Sequence, residues 1–220
     1  MKSILVIGMG RFGRHVVRTL SELGHDVMAL DWHEKNLVPV MDLATNCQIG
    51  DATDSQFMNS LGISDFDVSI VCIGDDFKSS LEATYLCKTL GCPLVVARAN
   101  RTVHAEFLKR NGADEVIYPE KQMAIWTAVT YSSEHIFDYI QLDDQHSIYE
   151  VDVPPHWQGK SVIELDIRRK YGINVMAIKQ NKQLIVNFDP NTPLKSDMTI
   201  LILGDDRSIA KCFKSQYALK

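Results

Sequence analysis

The sequence predicts an α/β fold: a parallel-sheet domain over residues 1–140, followed by a small α+β domain over residues 141–220. Three observations carry this. A short apolar run, residues 4–7, breaks into Gly8-Met9-Gly10-Arg11-Phe12-Gly13, and a helical pattern follows to about residue 23. Apolar runs then alternate with helical patterns as far as residue 118, which builds a parallel sheet; six strands with a GxGxxG after the first make that sheet Rossmann-like. Past residue 143 the alternation gives way to strands with a period of two and Pro-containing breaks.

Taken in order, Gly24 ends the first helix, and residues 27–30 form a second strand ending at Asp31. A helix over residues 34–43 leads to a short strand at 47–49. The turn Gly50-Asp51-Ala52-Thr53 follows, with Thr53 or Asp54 as cap of a helix reaching residue 61. Residues 67–73 are a strand, Gly74-Asp75-Asp76 a turn and residues 77–90 a helix. Strand 94–97, helix 102–111 closed by Gly112, and strand 115–118 complete the sheet. One helical pattern then runs from residue 120 to about 139, with Met123, Ile125, Trp126, Val129, Ile136 and Phe137 as its large apolar residues. A two-layer domain has little room for such a stripe, so a partner chain or a domain junction is expected to cover it.

Asp143-Asp144-Gln145-His146 reads as a linker. Residues 147–153 alternate as a strand that Pro154-Pro155 ends, and Ser161 caps a helix through residue 170, closed by Gly172. Strands 173–179 and 183–188 flank a tight turn at 180–182. A loop with Pro190 and Pro193 leads to strand 199–203, and a helix over 205–213 follows.

Composition bounds the function. The 220 residues are 45% hydrophobic and 23% charged, as in ordinary globular proteins, and the net charge of −5 lacks the clustered basic face that nucleic acid requires. No apolar run approaches the roughly 20 residues of a membrane span, and the N-terminus shows no signal-peptide pattern, so a cytoplasmic protein without membrane insertion is expected. The five cysteines (47, 72, 87, 92 and 212) show no CxxC spacing and read as buried reduced thiols. The seven histidines show no HxxxH or HExxH pattern and read as scattered surface residues; no catalytic constellation stands out.

The ligand chemistry concentrates in the first third of the chain. Gly8 permits the tight turn, Gly10 lets backbone approach a phosphate, and Gly13 lets helix and strand pack closely. The helix start offers free N–H groups and partial positive charge to that phosphate. Asp31, eighteen residues past Gly13, is spaced to accept hydrogen bonds from ribose hydroxyls, and its charge disfavours a 2′-phosphate. An adenine nucleotide is therefore expected. Arg11 is either a phosphate contact or a solvated surface residue. Trp32 either flanks the adenine or covers the sheet edge. Asp51, Ala52 and Thr53 lie beside the expected adenine position, where Asp51 and Thr53 are equally explained as turn-capping residues. Ile73 and Gly74 offer a close approach for the ligand, and Arg98 either neutralises phosphate charge or is ion-paired. Glu120 suits a helix N-terminus on electrostatic grounds alone.

In the order and spacing of its motifs the chain resembles the RCK (KTN) regulatory proteins of bacterial potassium uptake, the Ktr/Trk-type cytosolic subunits. The marks are Gly8 to Gly13, Asp31, Gly50-Asp51-Ala52-Thr53 and residues 71–74. Later ones are Asn111-Gly112-Ala113-Asp114, Tyr118-Pro119-Glu120-Lys121 and Arg168-Arg169-Lys170-Tyr171-Gly172. The resemblance spans nearly the whole chain. It implies an N-terminal nucleotide-binding domain, a TrkA-C-like C-terminal domain, and homodimers assembled into a ring, an octamer, on a membrane potassium transporter subunit. ATP, ADP or NAD(H) are the implied ligands of the first domain. Arg11, with Phe12 beside it, is implied to sense a terminal phosphate and to reach a partner subunit's nucleotide. Glu120 is implied to be a carboxylate ligand of Mg²⁺ or Ca²⁺ near the phosphates, with the remaining oxygens coming from the ligand, water or a symmetry mate. Cyclic di-AMP is implied as a second ligand across a two-fold interface of the C-terminal domain, on Ile163, Arg168, Ile173, Val175 and Pro190. Read without the resemblance, these apolar residues are equally core, and Arg168 or Arg169 would serve as the cation. A small NAD-dependent oxidoreductase is the alternative class that the fold alone allows. Against it stand the short second domain and the missing general acid or base.

Overall fold

The computed structural model describes residues 1–213. The chain divides into two compact units, Met1–Lys121 and Gln122 to the end of the described residues. In the first, strands β1 (Ser3–Ile7), β2 (Asp26–Asp31), β3 (Asn46–Ile49), β4 (Val68–Val71), β5 (Val95–Arg98) and β6 (Glu115–Ile117) form one parallel sheet in the order β3-β2-β1-β4-β5-β6. The order reverses direction between β1 and β4, the switch point at which doubly wound sheets bind ligands.

Helices cover both faces, as a parallel sheet requires. Side chains alternate along β1. Ile4 and Val6 pack with Val17 of α1 (Arg11–Glu22), Leu37 of α2 (Glu34–Leu37) and Val40. Leu5 and Ile7 pack on the other face, with Met58 of α3 (Ser55–Ser60), Ala83 and Cys87 of α4 (Phe77–Thr89) and Leu108 of α5 (Thr102–Arg110). The helix expected over residues 34–43 stops at Leu37 and continues only as a 3₁₀ turn, Val38–Val40, because Pro39 supplies no N–H to an α-helical ladder. Asp54, rather than Thr53, caps α3, accepting the Gln56 and Phe57 N–H groups.

One expectation fails outright: His104 is not a surface residue but wholly buried between α4 and α5. The Asn100 amide nitrogen donates to the Gly74 carbonyl, so the Asn100 oxygen faces His104 Nδ1 at 3.2 Å and assigns it the proton. Nε2 then accepts from Ser80 Oγ at 3.2 Å. The neutral ring is thus satisfied on both sides.

The second unit is an antiparallel sheet of β7 (Ile136–Gln141), β8 (His146–Asp152), β9 (Asn174–Gln180), β10 (Gln183–Ile185) and β11 (Met198–Asp205), in the order β10-β9-β11-β8-β7. Helix α6 (Pro119–Tyr131) carries the chain into this unit. The helix expected to reach residue 139 therefore ends eight residues early, and the division falls at 121/122 rather than 140/141. Ile136 and Phe137, the last residues of the expected stripe, belong instead to a strand bent by a bulge between Ile136 and Asp138, in which Ile136 and Tyr139 are buried and Phe137 is exposed. The supposed linker is the β7–β8 hairpin loop, where the Asp143 carboxylate accepts the Gln145 and His146 N–H groups at 2.8 Å. The apolar stripe of α6 is covered in part by its own unit: Val129 is core, and Ile125 and Trp126 pack against it. Met123 and Tyr131 stay exposed.

Trp157 and Tyr149 fill the centre of this core, and a capping box between Ser161 and Glu164 starts α7 (Val162–Leu165). The helix expected through residue 170 breaks at Asp166, which takes φ 48°, and restarts as α8 (Ile167–Tyr171). The strand expected over 183–188 is only three residues long, after a turn with Asn181 and Lys182 at positive φ. Helix α9 (Asp206–Phe213) ends the described chain.

Gly13→Ala should destabilise the protein. Alanine favours a helix by about 1 kcal/mol over glycine, but the new Cβ falls on the Gly8 carbonyl oxygen, and overpacking against backbone costs about 1–3 kcal/mol or more. Urea denaturation showing equal or greater stability would contradict this packing. Burial, and secondarily Arg101, holds His104 below its ordinary pKa of 6.5. As pH falls through that value the unfolded chain takes up a proton the native state resists, so stability drops from pH 7 to pH 5. His104→Gln should flatten that slope in urea titrations at the two pH values.

Candidate nucleotide site

The carboxyl ends of β1 to β5 surround a cavity of about 930 Å³. Its floor is the glycine turn. Gly8 takes φ 94°, and its N–H donates to the Leu30 carbonyl at 2.8 Å, tying the end of β1 to β2. Gly10, Arg11 and Phe12 line the cavity where α1 begins, and no side chain caps that helix among the described residues. Its first N–H groups therefore face the cavity as an anion site. Gly13 does not line the cavity; it lies beneath, against Gly8.

Asp31 faces this turn from the end of β2. One carboxylate oxygen accepts the Met9 N–H at 2.6 Å; the other accepts the His33 N–H at 2.8 Å and the Asn36 amide at 2.9 Å. The carboxylate is thus aimed by three donors, two of them backbone, with lone pairs left for ribose hydroxyls. Trp32, 64% exposed, stands on the rim. Gly50 donates its N–H to the Asp31 carbonyl, and the Asp51 carboxylate accepts both the N–H and the hydroxyl of Thr53, a closed turn on the cavity wall in which the largely buried Ala52 also lines the cavity.

Ile73 and Gly74 form the wall beyond β4. Burial pushes the neighbouring Cys72 thiol up to about 12, which makes it an inert core group, whatever the nearby Arg98 does to oppose it. Arg98 leaves β5 and packs its guanidinium against Gly74, 5.7 Å from the centre of the Phe12 ring. It pairs with Glu120, the second residue of α6. Burial alone would raise the Glu120 carboxyl, but its own backbone N–H, Arg98 and then Arg11 outweigh this and hold it below the usual carboxylate range. The sequence reading missed His15, His33, Asn36, Asp75, Asp76 and Ser79, which also line the cavity. Asp76 was the most legible of these. It caps α4, accepting from the Ser79 hydroxyl and N–H, and those bonds depress its pKa.

Among the described residues no group of three or more His, Cys, Asp and Glu side chains could hold an ion. Glu120, the carboxylate the resemblance implies as a metal ligand, pairs here with Arg98. In the second unit Ile163, Arg168 and Pro190 are exposed and Val175 is half-buried, with the Ile163 N–H donating to the Pro190 carbonyl at 3.4 Å. Ile173 must be withdrawn from the expected ligand set. It is 0% exposed, packed in the core beside Gly204, and a ligand cannot reach it.

The TrkA-N domain model matches residues 4–119 and the TrkA-C domain model residues 147–215. The chain belongs to the TrkA-N/TrkA-C family of Ktr and Trk potassium uptake proteins. Over 210 residues it is 34% identical to Ktr system potassium uptake protein C of Bacillus subtilis (strain 168), covering 96% of this chain and 95% of that one. It is 30% identical over 212 residues to the Trk system potassium uptake protein TrkA of Mycobacterium tuberculosis (strain ATCC 25618 / H37Rv), covering 91% and 92%. Among solved structures, the crystal structure of the GsuK RCK domain aligns over 97% of this chain and 47% of its own, with TM-score 0.66 and 17% identity. The GsuK channel bound to NAD aligns over 100% and 40%, with TM-score 0.69 and 17% identity. At that identity the likeness is one of fold. No helix among the described residues of this TrkA-N/TrkA-C chain is long and apolar enough to cross a membrane.

Gly10→Ala separates folding from binding. A Cβ added there meets nothing within 4 Å, and φ −68° suits any residue, so stability should change by less than about 1 kcal/mol, alanine being a poorer N-cap than glycine. The methyl group stands where a phosphate must approach the helix, so nucleotide affinity should fall by about tenfold or more. Wild-type affinity in a stably folded variant would place the phosphate elsewhere.

Proposed function

We propose that this chain is the cytosolic, nucleotide-binding regulatory subunit of a bacterial potassium uptake system, switched by ATP or ADP, with NAD(H) a third candidate for the same cavity. It has no catalytic role in this reading. Its partner is a membrane potassium transporter subunit, met at the inner face of the membrane by homodimers assembled into a ring of eight. The potassium-uptake relatives support the system. The observation that carries the ligand is Asp31: its carboxylate is held against the Met9 N–H, at the mouth of a glycine turn whose helix N-terminus faces the same cavity. Ribose at the carboxylate and phosphate at the helix start follow from that pairing. Regulation then requires that each nucleotide bind one conformation of the ring better than the other, because equal affinity shifts nothing.

The second unit is proposed to take cyclic di-AMP across a two-fold interface. Support comes from the exposed Ile163, 58% accessible, hydrogen-bonded to the backbone of Pro190, with the exposed cation Arg168 two residues beyond the break at Asp166. A symmetric dinucleotide suits an isologous interface, since each half meets the same residues.

Calorimetry tests both sites on the whole chain. Asp31→Ala should weaken ADP and ATP by about 1–3 kcal/mol, the usual loss for a hydrogen bond to a charged group, and unchanged affinity would remove Asp31 from the site. Arg11→Ala should cost more for ATP than for ADP if Arg11 reads the terminal phosphate; equal losses leave it as a general phosphate contact. Titration with cyclic di-AMP should give binding that Arg168→Ala weakens at least tenfold, about 1.4 kcal/mol. No heat from the folded wild type would end the second proposal.

A further inference from the structure

We infer that Asn36 is a second ribose contact of the cavity. Its amide oxygen accepts one hydroxyl of the sugar while Asp31 accepts the other, which makes the site selective for ribonucleotides over deoxyribonucleotides. This rests on the nucleotide reading of the cavity and names the sugar chemistry that the cavity selects.

Asp31 is already heavily used. Its Oδ1 accepts both the His33 N–H at 2.8 Å and the Asn36 amide at 2.9 Å, and its Oδ2 accepts the Met9 N–H at 2.6 Å. A carboxylate oxygen has about two lone-pair directions, so Oδ1 is filled and a ligand hydroxyl is left to Oδ2. Ribose presents two adjacent hydroxyls. Each must find an acceptor in the cavity or lose the hydrogen bond it made with water.

Asn36 is the third residue of α2, half-buried, and lines the cavity. A carboxylate accepts and does not donate, so the end of the amide that meets Asp31 is its NH₂ group, and the carbonyl oxygen is turned away from Oδ1. Among the described residues that oxygen accepts no hydrogen bond. It shares a carbon with the nitrogen that lies 2.9 Å from Asp31, so a carboxylate and a free acceptor stand side by side, as the two hydroxyls of a ribose do. The placement is held from both ends. The Asn36 backbone N–H donates to the His33 carbonyl at 2.9 Å, and the next residue, Leu37, is wholly buried. A short side chain fixed in this way has little rotamer freedom left to lose when a ligand binds.

A site with an acceptor for each hydroxyl rejects a deoxy-sugar because the missing hydroxyl leaves a polar group unpaired. Since the two hydroxyls go to two residues, the 2′ and 3′ penalties are separable. If Asn36 only held Asp31 in place, any residue that still donates to Asp31 would replace it without loss.

The test is calorimetry on the full chain with ADP, 2′-deoxy-ADP and 3′-deoxy-ADP. The wild type should bind each deoxynucleotide at least about fivefold more weakly than ADP, the usual worth of one hydrogen bond. Asn36→Lys keeps a donor toward Asp31 but has no acceptor, and should abolish discrimination against one of the two deoxynucleotides while leaving the other. Asn36→Leu has neither donor nor acceptor, and should abolish at least that same discrimination. Wild-type ratios in Asn36→Lys overturn the proposal, because a donor to Asp31 is then all that residue 36 supplies. Loss of both ratios in Asn36→Lys also overturns it, since Asn36 would then act through Asp31 alone. Wild-type ratios in a folded Asn36→Leu overturn it by giving the second hydroxyl to another acceptor on the wall, as does a wild type that takes either deoxynucleotide as well as ADP. A wild type that binds none of the three overturns the nucleotide reading itself, a result distinct from a binding wild type whose Asn36 variants keep its ratios.

Discussion

Helix α1 and strand β1 can meet as closely as they do only because Gly13 has no side chain; a Cβ there would occupy the Gly8 carbonyl oxygen. That contact sets where α1 starts, and the start of α1 is the anion end of the cavity. Gly8, at φ 94°, turns the chain sharply enough to present the helix end-on to the carboxyl edge of the sheet while its N–H stays bonded to Leu30. Move α1 outward by the width of a methyl group and the Met9 N–H would leave Asp31, 2.6 Å away. The glycine turn and the Asp31 carboxylate are therefore held in one fixed arrangement.

The charges around it have little freedom. Asp31 is fixed by three donors, and Arg98 by packing against Phe12 and Gly74. Behind them the His104 ring joins α4 to α5 and, through Asn100, reaches the Gly74 carbonyl on the cavity wall. A buried polar group left unpaired costs more than a made bond returns, so this network rigidifies the wall once every member is satisfied. Trp32 and Glu120, by contrast, are exposed side chains on the same cavity.

The second unit is stabilised differently. Its sheet is antiparallel, and β11 alternates strictly between buried and half-buried residues, with Met198, Ile200 and Ile202 inward. No glycine turn organises it; Trp157 and Tyr149 do so by bulk. β7 is an edge strand bent by a bulge, and of the stripe residues Ile136 and Phe137 that extend the helical pattern in the sequence only Ile136 is buried, with Tyr139 the other inward residue. Ile136 and Phe137 continue the apolar residues of α6 in the sequence, so the sequence reads as a single long helix with a boundary near residue 140. A loop with acidic capping, Asp143 to His146, similarly passes for a linker when its flanking strand is not recognised.

By itself the sequence determined what depends on neighbours within a few residues. The glycine turn, Asp31 at the end of β2, the alternation of strands and helices, the capping box at Ser161 and the Asx turn at Asp51 all arise from local conformational preference and period. Those patterns were enough to draw the parallel sheet and most of the cavity lining. Tertiary structure alone decided the pairs distant in sequence: Met9 with Asp31, Ser80 with His104, Arg98 with Glu120, each more than twenty residues apart. It also decided burial, taking Ile173 out of reach of any ligand and hiding His104 in the core. Hydrophobic burial and ion pairing are satisfied by whichever groups the fold brings together, and a residue's own type and its near neighbours do not say which those are.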